Sequence, residues 1–134
     1  MKTPAYDLEE RSACFGECVI EFCRKLPLDP VSSPIINQLV RAGTSVGANY
    51  CEAAEAESMK DFRHKAATCR KESKETKYRL RMIAKASPSQ KASARTLWTE
   101  AKELHLIFCA TIRTTDQNVR KERLAKSPAV EAVL

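Results

Sequence analysis

Along this chain apolar residues recur every three or four positions, and prolines with small polar residues break the pattern at a few places. The first stretch runs from about Asp7 to Leu26, with Leu8, Phe15, Val19, Phe22 and Leu26 on one stripe of a helix. Pro27 and Pro30 stop it, because proline has no amide proton to give to a helix interior. Ser33 before Pro34 then reads as an N-cap followed by a first-turn proline. From there Ile36, Leu39, Gly43, Val46, Tyr50 and Ala53 alternate at steps of three and four, which predicts a second helix to about Glu55.

Continuing that seam requires an apolar residue near Glu57, but the next ones, Met59 and Phe62, are out of phase by two. The chain must break there, and Ser58 with Asp61 three residues later resembles a capping box. A third helix carries Met59, Phe62, Ala66, Cys69, Ser73, Thr76, Leu80 and Ile83 in unbroken alternation. Ser87, Pro88 and Gln90 end it and cap a fourth, marked by Ala94, Leu97, Ala101, Leu104 and Phe108, with Ile112 displaced by one. The fourth helix is expected to fray beyond Thr115, and SPAVEAVL, Ser127 to Leu134, to form a mobile tail. Short connections place neighbours antiparallel, so the expected fold is all-α: an antiparallel up-down-up-down four-helix bundle, one domain over residues 1–126.

Composition agrees with that picture. The 134 residues fit one core, and 43% hydrophobic with 30% charged residues suits a helical bundle and excludes global disorder. No apolar run reaches membrane-spanning length and MKTPAYDLEER has no apolar signal region, so a cytoplasmic protein without membrane contact is expected. The six cysteines lack a C-x-x-C pair or ligand spacing with histidine, and are expected to be reduced and mostly buried. Cys14 and Cys18 share a face, which reads as packing rather than a soft-metal pair. Charge is unevenly placed: residues 1–58 carry five Lys/Arg and nine Asp/Glu, net −4, and residues 59–134 carry eighteen and eight, net +10. Such asymmetry suits self-association or an anionic partner.

Two glycines interrupt the second helix, each costing roughly 1 kcal/mol against alanine. Gly43 lies on the seam and Gly47 about 40° round from it, so a partner helix can approach closely there and recover dispersion contacts. Beside that seam run Ile35, Gln38, Ala42, Ser45, Asn49 and Glu52, mostly uncharged. They form either a partly covered shoulder of the bundle or a face against another subunit, with Asn49 and Glu52 in a polar network reaching Arg41 and the glutamates of helix 3.

NQLVRAGTSVGANYCEA from Asn37 to Ala53, followed by Ser58, Asp61 and Phe62, then KESKETKYRL from Lys71 to Leu80, resembles a known family. It is the four-helix-bundle family that includes proteins encoded within intervening sequences of bacterial 23S ribosomal RNA genes. The resemblance implies a compact antiparallel bundle assembling as a ring-like homopentamer. It also implies kinship with an accessory protein of diversity-generating retroelements, whose basic surface engages nucleic acid and a reverse transcriptase. Most members have no assigned activity. The family commonly has Tyr-Trp-Leu where this chain has Tyr78, Arg79 and Leu80, so the contact of that tryptophan does not carry over to Arg79.

Beside the third helix's seam, Lys60, Arg63, Ala67, Arg70, Lys74, Lys77 and Arg81 form one line with six cations and no acid. The line spans roughly 30 Å, enough to track several phosphates of RNA or DNA. The opposite flank neutralises itself through Asp61 with Lys65 and Glu75 with Arg79 at i, i+4. In the competing reading the stripe is a solvated face whose charges meet Asp7, Glu9, Glu10, Glu17 and Glu21 of helix 1 in the same or a neighbouring subunit. The stripe holds no aromatic residue, which favours backbone contact without base readout. RKERLAK, Arg120 to Lys126, extends the basic character.

Catalytic signatures are missing. A carboxylate bundle enzyme needs two inward acid-x-x-His motifs, and only Asp61 with His64 has that spacing, pointing outward. Glu72 and Glu75 read with Arg79 as a structural network, since no nucleophile or positioned histidine accompanies them. No cofactor or metal is implied. The expected function is that of a non-catalytic oligomeric adaptor for RNA or other nucleic acid. The alternative is a protein-interaction scaffold whose basic surface docks an acidic protein partner or serves self-assembly.

Overall fold

The structure, a computed structural model, describes residues 7–126, so the expected tail at 127–134 lies outside the described residues. Four helices follow one another with no strand among the described residues: α1 (Leu8–Arg24), α2 (Ser32–Ala54), α3 (Met59–Ala86) and α4 (Lys91–Ala125), the last preceded by a 3-10 turn at Pro88–Gln90. Each helix packs on the next, and α4 returns to touch α1 more sparsely. The fold is the all-α four-helix bundle that the periodicity predicts.

Caps explain most boundaries. Asp7 accepts the Glu10 amide at 3.2 Å and Ser58 accepts the Asp61 amide at 3.0 Å, satisfying donors that a first turn leaves free. The start of α2 differs from expectation: Ser33 is not its cap. Asp29 accepts the amides of Val31 and Ser32 at 3.0 and 2.7 Å, and its own carbonyl accepts the Ser33 amide at 2.9 Å. The helix therefore opens at Ser32, before Pro34, whose missing amide proton still falls in the first turn, where no intrahelical partner exists. The expected fraying of α4 beyond Thr115 is not seen either. Thr115 is buried, Asp116 is tied to α3, and the helix runs on to Ala125.

The seams meet as drawn, with Phe15, Val19, Leu39, Val46, Cys69, Leu80, Ile83, Leu104 and Phe108 in one core and Tyr50 set 5.9 Å from the Phe108 ring. Met59 and Phe62 are the exceptions, Met59 40% exposed on the first turn of α3 and Phe62 only partly buried. Ser73 and Thr76 occupy core positions at no hydrogen-bonding loss, because their hydroxyls donate to the carbonyls of Cys69 and Glu72 at 2.8 and 2.7 Å. The cysteines are not mostly buried, because several lie off the seams. Only Cys23 and Cys69 are enclosed, where burial pushes their thiols up to about 11 and about 12, while Cys18 and Cys51 are exposed.

The chain's three glycines gather at the α1/α2 crossing. A Cβ on Gly43 would lie 2.9 Å from both Val19 methyls, and one on Gly47 would lie 3.2 Å from the Ser12 backbone. Gly16, on α1, has ordinary room, 3.5 Å from Thr44 Cα.

Candidate nucleic-acid interface

The basic line of α3 does not stand alone in solvent. Its residues lie along the edge that α3 shares with α4, with Lys60, Lys74 and Arg81 exposed and Arg63, Arg70 and Lys77 half-buried. Arg63 is bound by Asp116 of α4, Nε to Oδ1 at 2.6 Å and Nη2 to Oδ2 at 3.2 Å, so it is not one of the free cations expected from the sequence. That hydrogen bond and charge hold the Asp116 carboxyl below its usual range.

Lys77 reaches an aromatic residue of α4, its Nζ 5.1 Å from the centroid of the Trp98 ring, and Lys102 holds its ammonium 5.7 Å from the same centroid. One turn further along α4, His105 is disfavoured from taking a proton by burial first and then by the charges of Lys77, Lys74 and Arg70. Its Nε2 lies 3.8 Å from Cys109 Sγ. Trp98, Lys102 and His105 thus belong to the same face. They fall one residue after the α4 seam positions Leu97, Ala101 and Leu104, the flank that corresponds to the basic line on α3. Reading that flank on both helices would have found them.

The ring changes what this face can do. A lysine over an exposed ring contributes about 0.5–1 kcal/mol, whereas a nucleobase stacked on an aromatic side chain contributes about 1–3 kcal/mol.

The α2/α3 side is built from paired charges. Arg41 donates to Glu72 at 3.2 Å, to Glu75, and through Nε to Gln38 at 2.9 Å, and Arg79 Nε lies 3.7 Å from Glu75. Glu72 is 8% exposed and depends on this pairing. Asn49 and Glu52 are not in that network. Asn49 donates to the Ser45 carbonyl at 2.8 Å, Ser45 donates to the Arg41 carbonyl, and Glu52 holds Lys65 at 2.7 Å. Lys65 accordingly pairs across the helices rather than with Asp61 as its spacing suggested. Ala42 is fully buried, so the stripe from Ile35 to Glu52 is not a continuous free face.

Among the described residues no salt bridge joins Asp7, Glu9, Glu10, Glu17 or Glu21 to the basic line. The described part of α1 instead contributes Arg11, which clamps Glu100 and Glu103 of α4 at 2.7 Å each. Asp61 and His64 are both exposed, and among the described residues no three His, Cys, Asp or Glu come together as a metal site. No helix among them is long and apolar enough to cross a membrane.

These features define a small antiparallel four-helix bundle with a cationic face along its α3/α4 edge. The chain belongs to the 23S rRNA-intervening sequence protein family, whose pattern it matches over residues 6–109. It is similar to the crystal structure of a protein of unknown function from the S23 ribosomal protein family of Bacteroides thetaiotaomicron. The two share 25% identity and a TM-score of 0.69 over 78% of this chain and 97% of the other. No curated protein matches the chain.

Proposed function

We propose that the protein acts in the cytoplasm by binding rather than by catalysis, laying a nucleic-acid backbone along the α3/α4 edge. The observation that carries this reading is the contrast between paired and unpaired cations. Arg11, Arg41, Arg63 and Lys65 each hold a carboxylate, whereas among the described residues Arg70, Lys74, Lys77 and Arg81 form no salt bridge. These four extend over about 16 Å of helix. Four like charges kept adjacent without a salt bridge of their own repel one another, and a polyphosphate relieves that repulsion while releasing its own condensed ions. Lys60 lengthens the track, and Arg63 joins it once Asp116 lets go. The family's name links it to intervening sequences of 23S rRNA, so structured RNA is the first probe to use. A homopentamer would repeat the face five times and raise its avidity.

The test is binding of the purified protein, stripped of copurifying nucleic acid, to labelled structured RNA and duplex DNA across a salt series, with solution mass recorded alongside. The R70E/K74E double variant is expected to fold, to lose most of its affinity, and to lower the salt slope by about 1.4–1.8, since each phosphate contact contributes about 0.7–0.9. Unchanged binding in that variant sinks the proposal. Binding to an acidic protein that an unrelated polynucleotide does not compete away would instead identify a protein scaffold.

A further inference from the structure

At the end of the α3/α4 edge, around the 3-10 turn, the two helices part to leave a cleft of about 600 Å³. Arg81 and Lys85 of α3 and Lys91 and Arg95 of α4 surround it, Leu80 and Ala94 contribute its apolar lining, and Trp98 closes one side. Among the described residues no acidic residue lines it. The first turn of α4 beside it contains no carboxylate.

We infer that this cleft is a nucleotide subsite for single-stranded nucleic acid, holding one base against Trp98 and its phosphates among Arg81, Lys85, Lys91 and Arg95. Three observations converge on it. The charge excludes an apolar ligand and selects an anion. The apolar lining and indole select a flat ring in addition to a phosphate, which a backbone-only site does not require. Trp98 joins the cleft to the basic line, because Lys77 of that line lies over the same ring that walls the cleft. A strand tracking Arg70, Lys74 and Lys77 thus runs into the cleft, and a duplex, whose bases are stacked inside, cannot enter it. The inference rests on the nucleic-acid reading for the source of the nucleotide, and adds a preference for unpaired bases.

The chain has one tryptophan, so its fluorescence reports on this position alone. The probes are a short oligodeoxythymidylate and an abasic phosphodiester oligomer of equal length, titrated into the full chain. Saturable quenching by the oligodeoxythymidylate is expected, with affinity about tenfold above that of the abasic oligomer. The K85E/R95E variant, altered only at exposed positions, should lose both the quenching and the preference. The R70E/K74E variant should bind both oligomers more weakly and keep the preference. Equal affinity for the two oligomers, or binding without quenching, overturns the subsite and leaves the backbone reading standing. Absence of binding by either oligomer and by RNA removes both. If K85E/R95E changes the solution mass and not the oligomer affinities, the cleft holds an acidic segment of a second copy and the inference is wrong.

Discussion

Lys77 of α3 holds its ammonium 5.1 Å from the centre of the Trp98 ring of α4, joining the basic line of one helix to the chain's sole tryptophan on the next. The contact is partly exposed, so K77M should cost less than about 1 kcal/mol in urea unfolding. The same variant should take close to one unit off the salt slope of polynucleotide binding, because a phosphate contact goes with the charge. Full retention of the slope would place Lys77 outside the interface.

His105 reports on the same field. Burial and the charges of Lys77, Lys74 and Arg70 set its pKa below the ordinary 6.5. NMR titration should show this in the free protein. Saturation with polynucleotide should move the pKa upward, since phosphates cancel the three cations. A group depressed in the folded state contributes stability above its unfolded pKa and loses it as pH falls through the folded value. Unfolding free energy should therefore drop below about pH 6.5, and H105Q should flatten part of that drop.

Glu72 is a nearly buried carboxylate whose partner Arg41 comes from a neighbouring helix. Removing the arginine leaves that charge without compensation, so R41A should destabilise the fold by about 1–3 kcal/mol. E72Q should cost less, because the amide needs no counter-charge. A double-mutant cycle with R41A and E72Q measures the coupling. A coupling near zero would mean that solvent, not Arg41, satisfies Glu72.

The glycines should respond in opposite directions. G43A sets a Cβ 2.9 Å from the Val19 methyls, and a valine cannot turn aside easily. A loss of about 1–3 kcal/mol is expected from overpacking, which outweighs the roughly 1 kcal/mol gain in helix propensity. G16A meets nothing closer than 3.5 Å. Propensity then acts alone and stability should rise by about 0.5–1 kcal/mol. Thermal melts of the two variants give the answer.

The periodicity of apolar residues determined the number of helices, their core faces and the break at Ser58, because a helix interior is written at steps of three and four that any window of the chain displays. Asp29 was missed as the organiser of α2 because its carboxylate acts on amides two and three residues ahead, a local contact that competes with the equally plausible Ser33 signal. The length of α4 depended on the burial of Thr115 and on Asp116 finding Arg63 of α3, which no window around them contains. Most of the charged and glycine positions that matter were visible as residues: the basic line on α3, the Arg41 and Glu72 set, and the two glycines of α2. Their partners were not. Which cation stays free, that Lys65 turns to Glu52, that Trp98 and His105 join the basic face, and that a cleft opens beside Arg95 were decided only by tertiary structure. The reason is physical. The period of one helix sets which way its side chains point, but the height at which two helices meet is set by how their surfaces interlock, here with Val19 and Ser12 against two missing side chains, and that fit belongs to the pair.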